Sequence, residues 1–131
     1  MNAHKFVAEE VIDEAKRVLE GAPSEATHFE FIKTAFIKTA IYMQFCGGEW
    51  FWLNTNCNEW LLDYPNGITE RQCLKELKQV VESFGIVKNQ GGYDELKQKI
   101  NEGDVDWKNI PKFRKAIEDY EHVQAYKNGD A

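Results

Sequence analysis

Three histidines, three cysteines and two closely spaced aspartates are the side chains here that could do chemistry, and their spacing argues against most of it. His4, His28 and His122 lie far apart in the sequence. None has a Ser, Cys or carboxylate beside it in an arrangement that makes a nucleophile or a general base. Cys46, Cys57 and Cys73 contain no close pair, whereas a structural zinc site usually shows one. Asp104 and Asp106 lack the further oxygen ligands and terminal Glu of a calcium loop. Gly91-Gly92 is followed by no Lys-Ser/Thr pair and opens no phosphate turn. The expectation is a protein that is not an enzyme and holds neither cofactor nor metal.

Binding chemistry is better represented. Between Thr69 and Gln90 the chain carries four bases and three acids, its only net-positive stretch, although the whole chain has a net charge of −6 at pH 7. On a helix over this stretch Arg71, Gln72 and Lys75 fall in the N-terminal half, where a docked recognition helix reaches base edges. Arg pairs with guanine and Gln with adenine, while Thr69, Lys78 and Lys88 are placed to take phosphates. Glu70, Glu76 and Glu82 interrupt this basic face, so a solvated helix surface laced with ion pairs competes with the DNA reading. Lys112, Arg114 and Lys115 form a second small basic group, read as a solvated face.

Several elements must position these residues. One hundred and thirty-one residues, 43% of them hydrophobic, suit one domain over residues 1–131 that buries a core without disulfides. No signal peptide or long apolar run is visible, so a cytoplasmic protein without membrane association is expected. Apolar spacing predicts a helix over Lys5–Glu20. A second, central helix is predicted to open at Ser24 or Thr27, where Thr27-His28-Phe29-Glu30 makes a capping box, and to run through Met43 to a break at Gly47-Gly48. The pentapeptide Phe31-Ile32-Lys33-Thr34-Ala35 recurs as Phe36-Ile37-Lys38-Thr39-Ala40. Five residues exceed one helical turn, so on a helix the copies point apart and form no repeated surface.

The next stretch organises the prediction. Trp50-Phe51-Trp52-Leu53 reads as a strand with both faces apolar. A short helix follows, capped at Asn54 or Thr55, carrying Glu59, Trp60, Leu61 and Tyr64 and ended by Pro65. Thr69-x-x-Gln72 caps a longer helix with Leu74, Leu77, Val81 and Phe84 on one side, Gly85 at its end and Ile86-Val87 leaving extended. Asn89-Gln90-Gly91-Gly92 makes a tip. After it come a short helix over Tyr93–Glu102, an aromatic turn at Trp107, and a last helix capped at Asn109 with Pro111 in its first turn.

This order, an aromatic strand, Glu59-Trp60-Leu61, a capped helix ending Val81-Glu82-Ser83-Phe84-Gly85-Ile86-Val87 and a Gly tip, resembles the winged-helix domains of phage and plasmid replication proteins. It also resembles the N-terminal domain of DnaD-type primosomal proteins. The match covers about a third of the chain. The resemblance implies a mainly α (α+β) fold, a winged helix-turn-helix unit over 49–92 with extra N- and C-terminal helices and a small β-hairpin or stubby wing. It implies a phage or mobile-element protein of replication or transcription control that binds double-stranded DNA, with a homodimer suited to palindromic sites. The alternative is an acidic winged-helix interaction module that recruits or inhibits a host protein, for example as an anti-defence inhibitor, using Trp50, Trp52 and Trp107 as anchors.

Overall fold

A computed structural model describes residues 3–63 and 71–129. The chain runs α1 (Ala3–Gly21), β1 (His28–Lys33), β2 (Lys38–Cys46), β3 (Glu49–Asn54), β4 (Glu59–Asp63), β5 (Gln72–Cys73), α2 (Leu74–Asn89), α3 (Tyr93–Asn101), a 3-10 turn (Trp107–Asn109) and α4 (Ile110–Lys127). The five strands make one antiparallel sheet in the order β4-β3-β2-β1-β5. The fold is therefore α+β, an open sheet with helices gathered over one end.

The winged helix-turn-helix expected over 49–92 is not what forms. The predicted central helix is a hairpin: Phe31 pairs with Ala40, Ile32 with Thr39 and Lys33 with Lys38. The doubled pentapeptide folds back on itself, with its middle residues making the tip. Its Thr, Ile and Phe side chains suit a pleated surface, and that β preference prevails over the helical spacing of the same apolar residues. Gly47 and Gly48 do not stop a helix but turn β2 into β3. Both have positive φ, 61° and 82°, as a two-residue hairpin turn requires, and Cys46 pairs with Glu49 across it.

The segment predicted as the first helix of the helix-turn-helix is likewise a strand, β4, whose Trp60 pairs with Leu53 and Leu61 with Trp52. Its predicted end at Tyr64-Pro65, like the capping Thr69, lies outside the described residues. Gln72 sits in β5 beside Phe29, and α2 begins two residues later, behind a Cys73 cap that makes no side-chain hydrogen bond. The helix runs through Gly85 to Asn89, so Ile86 and Val87 are helical, and Val87 is buried at 4% exposure. No strand follows α2 among the described residues, and Gly91-Gly92 instead turns it into α3, with the Gly92 amide donating to the Val87 carbonyl at 2.9 Å. There is no wing.

Two cores result. In the larger, α1 lies over β1: the Phe6 ring meets Phe29 and Phe31 edge-on at 5.2 and 5.1 Å, and Leu77, Val80 and Val123 complete the packing from α2 and α4. The Tyr42 hydroxyl donates to the Val18 carbonyl at 2.7 Å, tying β2 to the same helix. A smaller core joins the end of α2 to α3 and α4 through Val87, Leu96, Phe113 and Ile117. Within α1, Val11 adopts φ 65° and ψ 161°, which breaks the helix into two pieces. A β-branched residue there is strained. Beside the break Glu10 turns inward, 9% exposed, with Lys33 at 3.3 Å and Lys38 at 3.6 Å.

Candidate functional site: the outer half of the sheet

The site follows from what the helices leave uncovered. On β1 and β2 the side chains facing α1, among them Phe29, Phe31, Ala40 and Tyr42, belong to the larger core. Beyond β2 the apolar residues continue while the helical layer stops. Trp50, Phe51, Trp52 and Leu53 of β3 are only half-buried, as are Trp60 and Leu61 of β4, and Leu62 is 39% exposed. None belongs to either core. Alternation along β3 puts Trp50 and Trp52 on one face and Phe51 and Leu53 on the other, so both faces present apolar area.

The face carrying the two tryptophans is ordered around Trp50. The Arg71 guanidinium stacks over its ring at 4.5 Å, His28 meets it edge-on at 4.7 Å and Phe45 lies 4.9 Å away. The Thr27 hydroxyl accepts from the Phe45 amide at 2.9 Å and lies within hydrogen-bond distance, 2.8 Å, of Nδ1 of His28. Burial lowers the His28 pKa below its ordinary value; Glu76 works against this and Arg71 with it. Burial beneath the tryptophan thus disfavours the charged imidazole. Met43, 1% exposed and paired with Trp52, lies at the floor of this face, while Phe45, 47% exposed, stands at its margin.

Of the residues expected to bind DNA, the described ones lie at the approach to α2 and along it, and Thr69 lies outside the described residues. Arg71 is committed to Trp50 and precedes the helix, and Gln72 is half-buried in β5. Lys75 and Lys78 are exposed on α2, where they line a groove of about 880 Å³ with Glu76, Glu82, His4 and Lys115. Opposite charges alternate around it. Lys88 is exposed in the last turn of α2, where a cation suits the helix dipole. The α2 helix packs against both α1 and α4, and its outer face carries Lys75 and Lys78 among Glu76 and Glu82. Of the three expected anchors, Trp50 and Trp52 share one face; Trp107, 74% exposed, sits on a turn packed against α4 and belongs to the helical part.

A polar cluster that sequence spacing missed lies at the foot of that groove. Asp119, 1% exposed, accepts from Ser83 at 2.5 Å, lies 2.9 Å from Nε2 of His4 and pairs with Lys115 at 3.3 Å. Burial disfavours its charge, but the hydrogen bonds from Ser83 and His4 and the Lys115 charge outweigh it, leaving its pKa below the ordinary value. This is not a nucleophilic triad. The carboxylate stands between the other two, and the Ser83 hydroxyl that donates to it is fully buried, out of reach of a substrate. It joins the start of α1 to α2 and α4. No signal at sequence distance could have found it, since His4 and Asp119 are 115 residues apart.

Among the described residues no three His, Cys, Asp or Glu side chains are placed to share a metal ion, and no helix is long and apolar enough to cross a membrane. Comparison with protein-family models, with curated proteins and with solved structures finds no match.

Proposed function

We propose that this protein is a protein-interaction module whose contact surface is the β3–β4 half of the sheet, with Trp50 and Trp52 as anchors on one face and Trp60, paired with Leu53, on the other. One observation carries this: seven large apolar residues in two adjacent strands lie outside both cores and none is fully buried. Contiguous apolar area of this kind marks an interaction site, and aromatic anchors supply most of the affinity at such sites. Charge favours protein over nucleic acid here. From Gly47 to Asp63 the sequence contains Glu49, Glu59 and Asp63 and no Lys or Arg, a balance that repels phosphates. The expectation of DNA binding rested on a winged helix-turn-helix unit, and the segment forms an antiparallel sheet edge and a packed helix instead.

Two measurements test this. A random duplex pool at low and moderate salt should show no salt-sensitive binding; affinity that falls steeply with salt and disappears in a Lys75→Ala/Lys78→Ala variant would restore the nucleic-acid reading. A photo-crosslinking residue at position 62 should yield discrete protein adducts in the cells that make the protein. The same residue at position 88 should yield none.

A further inference from the structure

The β1–β2 hairpin ends in a finger. β3 joins β2 only from Met43 onward, so Lys38–Tyr42 and the β1 residues opposite them run on beyond the third strand. At the tip Phe36 is 96% exposed and Ile37 58%. The tip is nonetheless fixed in shape: the Thr34 amide donates to the Ile37 carbonyl at 2.8 Å, and the Thr34 hydroxyl accepts from the Ile37 amide at 3.0 Å. At the base Lys33 and Lys38 pair across the hairpin, half-exposed, with the Glu10 carboxylate against both. An aromatic ring held out on so ordered a turn loses little entropy on entering a pocket.

Beside this base α1 and β1 border a cavity of about 310 Å³. Phe6, Phe31 and Ile32 give it apolar walls, and Glu9, Glu10 and Glu30 give it three carboxylates. Finger and cavity are complementary, an apolar tip above two cations and apolar walls among three acids. One chain does not join them, since Phe36 stands in solvent while the strand leading to it forms the cavity wall. We propose that two copies of this chain exchange fingers, Phe36 of each entering the other's cavity. Ile32 and Lys33 line the cavity and also lead into the finger, so the two features adjoin. A single two-fold axis beside the hairpin therefore serves both insertions and closes the assembly. Two rings and their surroundings bury less than a standard interface, so the dimer is a micromolar one. The finger lies at the Lys38 end of β2 and β3 pairs at the Cys46 end, which keeps this interface apart from the contact surface proposed above.

Sedimentation equilibrium of the full chain across the micromolar range should show monomers in exchange with dimers. Phe36→Ser alters a side chain almost wholly in solvent, so the circular dichroism spectrum should not change. Dimerisation should weaken at least about a hundredfold, because a two-fold interface loses both rings at once. Glu9→Trp, an exposed change that puts bulk at the cavity wall, should weaken it to a similar degree. Mixing the two variants gives the sharper result. Each variant's own dimer lacks both insertions, whereas the mixed dimer keeps one, the Glu9→Trp chain's finger in the Phe36→Ser chain's cavity. Native mass spectrometry should then find the mixed dimer about tenfold above its statistical share. A parent chain that stays monomeric, a dimer indifferent to Phe36→Ser, or mixed dimers at the statistical share would each overturn the proposal. So would a monomer that sediments with phosphatidylcholine–phosphatidylglycerol vesicles only when Phe36 is present, which would assign the finger to a lipid surface.

Discussion

The two halves of the sheet are built from similar residues and end in opposite states. β1 and β2 present Phe29, Phe31 and Tyr42 to α1, and Phe29 is completely buried there. β3 and β4 carry more aromatic surface for their length, and none of it is fully buried. The doubled pentapeptide shows the same contrast in miniature: Phe31 of the first copy packs on Phe6, and Phe36 of the second stands 96% exposed at the hairpin tip. Thr34 holds that tip in shape, its hydroxyl accepting from the Ile37 amide at 3.0 Å. Burial in this molecule is decided by where the helices reach, since residue type is nearly constant across the sheet.

If the inner half carries stability and the outer half carries recognition, mutations should separate them. The largest effect belongs to Phe29→Ala, expected to cost about 3–5 kcal/mol in urea unfolding because it empties a fully packed site. Trp52→Ala should cost roughly 1 kcal/mol, and equal losses in the two variants would break the comparison. Asp119→Ala comes next, at about 3 kcal/mol, since it strips Ser83 and His4 of their acceptor inside the helical part.

Asp119 also sets a pH dependence. Its folded pKa is depressed, so the stability it contributes is present above the ordinary carboxylate range and is lost as pH falls through that range toward the folded value. Acid titration of unfolding should therefore be flatter in Asp119→Asn than in the parent chain.

Val11→Gly should raise stability by about 1 kcal/mol, because glycine adopts the positive φ that strains valine. In an unbroken helix the same change would cost about that amount, so the sign of the shift reports whether α1 is broken at Val11. The smallest effect concerns the outer half. With its pKa lowered, His28 favours the fold when neutral, a contribution present above the ordinary histidine value and diminished as pH falls below it. Tryptophan fluorescence should change over the same range, and His28→Gln should abolish that change.

Legibility in the sequence tracked how local each determinant was. The first helix, expected over Lys5–Glu20, spans Ala3–Gly21, and the one expected over Tyr93–Glu102 spans Tyr93–Asn101. The last begins after Asn109 with Pro111 in its first turn, as predicted. These are amphipathic or capped segments whose own side chains mark their ends. Trp50–Leu53 was legible as a strand for a similar reason, because apolar residues on both faces suit nothing else so short. The failures lie where one segment satisfied two periods. Phe29 to Met43 fits a helical stripe, yet it forms two strands because each finds a partner to bond with, a long-range fact invisible in the segment itself.

The sequence by itself determined the first helix, the helix after Gly92 and the last helix, the turn at Gly91-Gly92, and that Trp50 and Trp52 would share a face, since each follows from properties spanning a few residues. Only the tertiary structure decided that Glu59–Asp63 would become an edge strand and not a helix, that Arg71 would lie on Trp50, and that Asp119 would gather His4 and Ser83. Each of those depends on partners brought together from distant parts of the chain, and such meetings are set by the packing of whole elements and leave no mark at short range.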